Sequence, residues 1–189
     1  NMAAGLHIDL MPFMRLKYDA FVTKEGFYPH FLADAGLNLR GDNTGFSGEW
    51  QIMHPAAQVT FARADNFGSA SALVFNSNGI FRAMGAPFAI SANVVVKNVG
   101  SVSGNEELTN GGTIIVDENQ TLTVNGVVSG AGILRKTGAG ALRLNAENTI
   151  TAPVVVKLGF IGGAGKVAAV ELKDGAGFDV SATQAVAFE

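Results

Sequence analysis

The chain has 189 residues, of which 48% are hydrophobic and 15% charged, and its net charge is -3. This composition supports a buried core and excludes an intrinsically disordered chain. The acidic balance argues against a nucleic-acid-binding protein, which would carry a basic patch or stripe. The absence of cysteine excludes disulfide scaffolds, cysteine-based zinc sites and thiol nucleophiles.

Apolar stretches and the N-terminal residues were inspected for membrane-spanning and export signals. No stretch approaches the ~18 consecutive apolar residues of a transmembrane helix, so no membrane insertion of this segment is predicted. The residues from Asn1 to Leu6 lack the basic and apolar regions of a signal peptide. We therefore expect the chain to be a fragment excised from a longer protein that carries its export signal elsewhere.

Residues 1–36 form a less regular segment that is rich in bulky apolar side chains. The alternation from Met14 to Ala20 indicates a strand, whereas Pro12 is well placed to begin a short amphipathic helix. Solenoid proteins need atypical terminal units to cover their core. We predict that this segment is either such a cap or an atypical first coil.

Residues 37–189 alternate apolar and polar residues, which places pairs of apolar side chains on one face of a strand. The pairs are Leu37/Leu39, Val59/Phe61, Leu73/Phe75, Val94/Val96, Ile114/Val116, Leu122/Val124, Leu142/Leu144, Val154/Val156, Val170/Leu172, Phe178/Val180 and Val186/Phe188. Asn-Gly and Asp-Gly sequences separate many of them and end strands. Helical spacing is not sustained, so this region is predicted to be all-β.

Three all-β architectures compete for this pattern. A sandwich or barrel needs hairpins, and Asn125-Gly126 is a fair signal for a two-residue hairpin turn. A propeller needs repeats of ~40 residues with aromatic markers, which the single Trp50 does not supply. Many very short strands and a high glycine content favour a parallel β-helix, a solenoid whose apolar residues point into a continuous interior.

Two segments of the chain match each other, at residues 22–53 and 133–159. Each contains Lys-x-Gly, then Leu-x-Leu-x-x-x-Asn-Thr, then a strand. The motif residues are Leu37, Leu39, Gly41, Asn43, Thr44 and Gly48 in the first copy, and Lys136, Gly138, Gly140, Leu142, Leu144, Asn148 and Thr149 in the second. The first copy carries extra residues, roughly Phe27 to Ala33, between its two halves.

The motif resembles the autotransporter-associated β-strand repeat, also called the passenger-associated transport repeat. The sequence departs from the family pattern at Ala146, at Ile150 and at Ala152-Pro153, where the family has glycine, an aromatic residue and glycine. The resemblance implies a right-handed parallel β-helix. In it Leu142 and Leu144 would enter the interior, Arg143 would face water, and Asn148-Thr149 would lie at a corner.

The resemblance also implies a function. Such a segment is a structural stalk or adhesin scaffold without catalytic activity or cofactor, displayed on the bacterial surface by type V secretion. Its anchor is an outer-membrane barrel outside this chain. Host or environmental glycans and surface proteins are the expected partners. Because an uncapped stack exposes strand edges and apolar core, end-to-end self-association is also expected.

Two alternatives remain open from the residues alone. A carbohydrate-active β-helix, hydrolase or lyase, would place two carboxylates roughly 5–10 Å apart; the candidates are Asp34, Asp42, Glu49 and Asp65, or Asp117, Glu118 and Glu147. A glycan-binding module would expose aromatic side chains; the candidates are Phe46, Trp50, Phe61, Phe67 and Phe75. We interpret the carboxylates as solvated surface charges and the aromatics as core.

Two further features of the sequence do not indicate a binding site. His7, His30 and His54 are isolated in sequence and lack the spacing of metal ligands. Arg40-Gly41-Asp42 matches an integrin-type tripeptide, but it falls on variable surface positions of the repeat. We therefore predict no metal site and no receptor-binding role for these residues.

Overall fold

The computed structural model describes residues 8–10, 20–23, 26–29, 36–53, 57–85, 87–98 and 110–179. This part of the chain is all-β, with three parallel sheets and almost no helix. No helix in the described ranges is long and apolar enough to cross a membrane. The predictions for Met14 to Asp19, the three histidines, Asp34, Val180, Val186 and Phe188 lie outside the described residues.

The regular elements are short strands and one helical turn. In chain order they are β1 (Ile8–Leu10), β2 (Ala20–Thr23), β3 (Gly26–Pro29), β4 (Gly36–Leu39), β5 (Glu49–Ile52), β6 (Gln58–Phe61), α1 (Ala64–Phe67), β7 (Ala72–Phe75), β8 (Gly79–Ala83), β9 (Phe88–Ile90), β10 (Asn93–Val96), β11 (Gly112–Val116), β12 (Thr121–Val124), β13 (Val128–Gly130), β14 (Leu134–Thr137), β15 (Ala141–Leu144), β16 (Thr149–Ile150), β17 (Val154–Val156), β18 (Gly159–Gly162), β19 (Val170–Leu172) and β20 (Ala176–Asp179).

The strands form three main sheets. Sheet 1 has eight strands in the order β1-β4-β6-β8-β11-β14-β17-β19, sheet 2 has five in the order β9-β12-β15-β18-β20, and sheet 3 has five in the order β5-β7-β10-β13-β16. All pairs within them are parallel except β1 with β4. Strands β2 and β3 form a separate antiparallel pair.

The chain visits the sheets in a fixed rotation. From β8 to β16 each strand of sheet 1 is followed by one of sheet 2 and one of sheet 3, as in β11, β12 and β13 and then β14, β15 and β16, whereas β17 and β18 are followed directly by β19 of sheet 1. We call one such circuit a pass. Corresponding residues of successive passes pair directly, so that Leu122 lies opposite Leu142 and Thr113 opposite Arg135. Successive passes therefore pair in register along the sheets that they share.

The core is built from alternate residues of these strands, as the period-two pattern predicts. In sheet 1 one buried row runs across the strands through the paired residues Leu37, Val59, Phe81, Ile114, Lys136 and Val156. In sheet 2 the buried row contains Leu122, Leu142 and Ile161, and in sheet 3 it contains Trp50, Leu73, Val94 and Val128. The apolar residues of these rows belong to one hydrophobic cluster.

Asn125-Gly126 does not form the hairpin turn that a sandwich would use. The strands on either side of it, β12 and β13, belong to sheets 2 and 3 and pair in parallel with strands of other passes. Gly126 is buried, and a Cβ atom there would lie 2.1 Å from the carbonyl oxygen of Ala92. The glycine is therefore needed because two passes approach closely at this corner.

One helical turn departs from the all-strand expectation for residues 37–189. Between β6 of sheet 1 and β7 of sheet 3 the chain forms α1, where later passes have a strand of sheet 2. Phe67, at the end of α1, is buried in the core. The Oδ1 atom of Asn66 accepts the backbone N–H groups of Ala62 and Arg63 at 3.2 and 3.1 Å. This side-chain bonding stabilises a turn that is too short to produce a periodic sequence signal.

Truncation of a paired core leucine tests the packing. Leu142 is fully buried, so Leu142→Ala is expected to lower the free energy of unfolding by about 2–5 kcal/mol through lost contacts and a cavity. Leu158→Ala is the matched control, because that side chain is 43% exposed and should cost about 0.5 kcal/mol or less. Urea denaturation followed by circular dichroism measures both, and equal midpoints would contradict the packing described.

Candidate functional site

The second copy of the repeat occupies two corners and the strand between them. Leu142 and Leu144 lie on β15 with their side chains buried. Gly138 and Gly140 lie in the turn between β14 and β15, Asn148 directly precedes β16, and Thr149 begins it. Arg143, on the opposite face of β15 from the leucines, forms an ion pair with Asp179 at 2.8 Å. The repeat therefore spans the passage from sheet 1 to sheet 3.

The first copy shares the burial of its leucines but not their sheet, because β4 belongs to sheet 1 whereas β15 belongs to sheet 2. Leu37 and Leu39 lie on β4 and are buried. The motif residues Gly41, Asn43, Thr44 and Gly48 follow in the segment before β5. The Nδ2 atom of Asn43 donates to the carbonyl of Asn66 at 2.8 Å, just as Nδ2 of Asn148 donates to the carbonyl of Lys166 at 2.9 Å. In both copies the motif asparagine thus binds the backbone of the following pass.

Lys136 is the most unusual residue of the motif. It interrupts a row of apolar side chains in sheet 1 between Ile114 and Val156, and it is 0% exposed. Its ammonium group donates to the carbonyl oxygens of Thr137 at 3.0 Å and Leu158 at 2.9 Å, and also to that of Gly138. Since an ammonium has three donors, these three acceptors satisfy it completely.

We call Lys136, Thr137, Gly138, Leu158 and Gly159 the lysine corner. The ammonium joins two passes there, because Gly138 follows β14 whereas Leu158 precedes β18. Gly159 has φ of +78°, and a Cβ atom on it would lie 2.7 Å from Nζ of Lys136 and 2.3 Å from the carbonyl oxygen of Gly138. A glycine is therefore required both by the backbone conformation and by the space that the ammonium and carbonyls occupy.

The protonation of Lys136 should make stability depend on pH. Burial lowers the pKa of Lys136 to about 8, from 10.5. Below pH ~8 the Lys136 amine is protonated in both the folded protein and the unfolded chain. Between that pH and ~10.5 it stays protonated in the unfolded chain but loses its proton in the folded protein, so the unfolded chain binds more protons. The free energy of unfolding should therefore rise with pH across this window relative to Lys136→Met. Denaturation of both proteins from pH 7 to ~10.5 measures the difference, and parallel pH profiles would contradict it.

A second corner, which we call the asparagine corner, contains Asn125, Asn145 and Asn148, whose side chains form hydrogen bonds between successive passes. The Nδ2 atom of Asn145 donates to Oδ1 of Asn125, 20 residues earlier, at 2.9 Å. Oδ1 of Asn145 accepts the backbone N–H of Ala164 at 3.2 Å. Oδ1 of Asn148 accepts the N–H of Val128 at 2.8 Å. Side-chain amides therefore satisfy backbone groups where the chain turns between sheets 2 and 3.

The outer faces of the sheets carry ion pairs and amides between passes. Arg82 on β8 binds Asp117 through two nitrogen atoms, with Nη2 to Oδ2 at 3.0 Å. Nη1 of Arg135 donates to the carbonyl of Asn110 at 2.8 Å and to Oδ1 of Asn78 at 3.2 Å. Such bidentate and amide contacts fix neighbouring strands in register.

The candidate carboxylates take part in local contacts. Asp117 binds Arg82, and Glu147 pairs with Lys166 at 3.2 Å on an exposed surface. Glu49 accepts from Nε2 of Gln51 at 2.9 Å, Asp65 lies in α1, and Glu118 lies in an exposed turn. Within the described ranges, no group of three or more His, Asp or Glu residues is arranged to hold a metal ion.

The Arg40-Gly41-Asp42 tripeptide lies in the segment after β4, with Arg40 and Asp42 exposed. The Oδ1 atom of Asp42 accepts the backbone N–H of Thr44 at 2.9 Å, and this hydrogen bond lowers the pKa of the Asp42 carboxyl. The carboxylate therefore stabilises the turn in which the motif Asn43-Thr44 lies.

Most of the candidate sugar-binding aromatics belong to the core. Trp50, Phe61, Phe67 and Phe75 are buried, and Phe46 packs against them with partial exposure. The Trp50 and Phe61 rings are 5.3 Å apart in an edge-on arrangement, and Nε1 of Trp50 donates to the carbonyl of Phe67 at 2.9 Å. These four buried rings fill the interior of the first passes, where Phe61 contacts both Trp50 and Phe67 edge-on.

Comparison of the chain with protein-family models, with curated proteins and with solved structures gave no match.

Proposed function

We propose that this chain is a segment of a right-handed parallel β-helix whose function is structural, as a surface-displayed stalk or adhesin scaffold. One observation carries the proposal: all three sheets pair corresponding residues of successive passes in parallel. Parallel strands joined by crossovers are almost always connected with a right-handed turn. A chain that circles three sheets in constant order then winds into a solenoid, with each pass as one coil.

The hydrogen bonds at two corners of the passes support a scaffold. At the lysine corner the buried ammonium is saturated by backbone carbonyls of its own and the next pass, and at the asparagine corner amides bind the turns. The Lys136 ammonium is fully bonded and shielded from solvent, so it holds the backbone and has no capacity left to bind a substrate. The amides of Asn125 and Asn145 are exposed, but their hydrogen bonds join successive passes. This chemistry suits a spacer better than an enzyme.

The autotransporter-type assignment rests on the repeat. In both copies the Leu-x-Leu residues are buried and the motif asparagine binds the backbone of the following pass. The two copies share these contacts although their leucines lie in different sheets, and it is the resemblance of the repeat to the autotransporter family that implies the bacterial surface. Glycans or proteins of the host or environment are the partners we propose for the exposed outer faces.

Antibody labelling of intact cells that make the protein tests surface display. An antibody raised against this chain should label intact cells as strongly as permeabilised ones, because a surface stalk is accessible from outside. An antibody against a cytoplasmic protein is the control and should label only permeabilised cells. Labelling by both antibodies only after permeabilisation would contradict the proposed location and, with it, the stalk function.

A further inference from the structure

The turn between β11 and β12 is longer than the turn that stacks on it in the next pass. Gly140 and Ala141, two consecutive residues, donate their backbone N–H groups to the carbonyls of Val116 and Gln120 at 3.0 and 2.9 Å. Residues 117–119, which lie between these two acceptors, therefore have no counterpart in the next pass. The extra residues must leave the stack, and they do so toward the surface.

We call residues 117–120 the protruding turn. Its backbone is closed by a hydrogen bond from the N–H of Gln120 to the carbonyl of Asp117 at 3.1 Å. Asn119 has φ of +60° and is the one non-glycine residue with positive φ in the described part of the chain. Asparagine tolerates this conformation better than most residues. Glu118 and Asn119 are both exposed, so the tip of the turn presents the Asn119 side chain to solvent.

The same tip carries an acceptor sequence for N-linked glycosylation. Asn119-Gln120-Thr121 is the one Asn-x-Ser/Thr sequence in the chain, and such sequences accept glycans on surface turns of secreted proteins. Thr121 begins β12 and is partly exposed. The exposed residues Asn125 and Asn145 have no serine or threonine two positions later. The acceptor sequence thus coincides with the turn that leaves the stack.

The surroundings of the protruding turn leave room for a large substituent. The turn that stacks on it in the next pass contains Gly138, Ala139 and Gly140, whose side chains are no larger than a methyl group. Ala139 is itself exposed. A sugar on Asn119 therefore meets only small side chains in that neighbouring turn.

We propose that Asn119 is a site of N-linked glycosylation and that the protruding turn carries the glycan. The donor is a sugar with a phosphate leaving group at C1. The Nδ2 atom of Asn119 forms a bond to C1 while the bond from C1 to the phosphate oxygen breaks. The phosphate leaves with the electron pair, and the amide gives one proton to a base of the transferase. The inference rests on the proposed surface display, because an exported chain is the one that such acceptor sequences serve.

Transfer of a glycan to the folded chain tests the site directly. The folded chain and a synthetic peptide covering residues 114–124 are each incubated with a purified oligosaccharyltransferase and its lipid-linked oligosaccharide. Mass spectrometry of the intact chain should show the added mass of one glycan, and peptide mapping should locate it at Asn119. The peptide shows whether the acceptor sequence is recognised without the fold.

Two variants of Thr121 separate recognition of the sequence from the shape of the turn. Thr121→Val keeps the branched side chain but removes the hydroxyl group, so it should abolish the added mass. Thr121→Ser keeps the hydroxyl and should still accept the glycan. Circular dichroism of both variants shows that the fold is retained.

Three results would overturn the proposal. These are a modified peptide with an unmodified folded chain, modification of neither, and a glycan that persists in Thr121→Val or lies on another asparagine. Antibody labelling of intact cells does not depend on the glycan, so each of these results leaves the test of surface display unchanged. Loss of surface labelling, in turn, does not alter the mass measured after transfer to the purified chain.

Discussion

Replacement of Lys136 by methionine is expected to lower the free energy of unfolding by about 2–4 kcal/mol at neutral pH. Methionine fills the space of the aliphatic stem but removes the donor shared by the carbonyls of Thr137, Gly138 and Leu158. A buried acceptor that loses its donor costs about 1–3 kcal/mol. The expected destabilisation is smaller than the summed cost of three unpaired carbonyls, because the variant no longer has to bury a charged ammonium.

The control for this variant is Lys166→Met. The Lys166 side chain is 81% exposed and pairs with Glu147 at the surface, and such pairs contribute about 0–1 kcal/mol. Urea denaturation of both variants at pH ~7 gives the comparison. If Lys136→Met unfolds at the same urea concentration as Lys166→Met, the ammonium does not hold the two passes together, and the importance given to the lysine corner is wrong.

Replacement of Gly159 by alanine should destabilise the protein by about 3 kcal/mol or more. The left-handed conformation at φ of +78° costs alanine about 1–2 kcal/mol, and the added Cβ would overlap the carbonyl oxygen of Gly138 and crowd Nζ of Lys136. The backbone must then shift where two passes meet, at the further cost of an overpacked core.

Gly45→Ala is the matched control, because a Cβ atom at Gly45 would meet nothing within 4 Å. The residue is not among those with positive φ, so its replacement should change stability by about 1 kcal/mol or less. Thermal unfolding of both variants is the measurement. Equal loss of stability in Gly45→Ala and Gly159→Ala would mean that the close approach at the lysine corner does not exist.

Much of the described fold follows from local patterns. Alternation identifies the buried pairs such as Leu142 and Leu144, because a strand has only two faces and one of them must be covered. The Asn-Gly sequences mark corners, but they do not say whether the next strand returns beside the last one or moves to another sheet. That choice at Asn125-Gly126 depends on pairing between residues far apart in sequence, which local patterns do not contain.

The lysine corner illustrates what sequence reasoning missed. The repeat identified Lys136 as a motif residue without giving its environment, because lysines are expected at the surface. A signal was nevertheless present, since Lys136 is two residues from Leu134 and therefore shares its buried face. The acceptors could not be found in this way, because Leu158 reaches the ammonium only after the next pass has stacked on the corner.

The most direct test of the account is a crystal structure of this chain, read for the hand of winding and the surroundings of Lys136. We expect a right-handed solenoid in which the three sheets enclose Leu122, Leu142 and the Lys136 ammonium, with the carbonyls of Thr137, Gly138 and Leu158 around it. Antiparallel hairpins between successive strands, or a solvent-exposed Lys136 side chain, would contradict both the β-helix and the structural role derived from it.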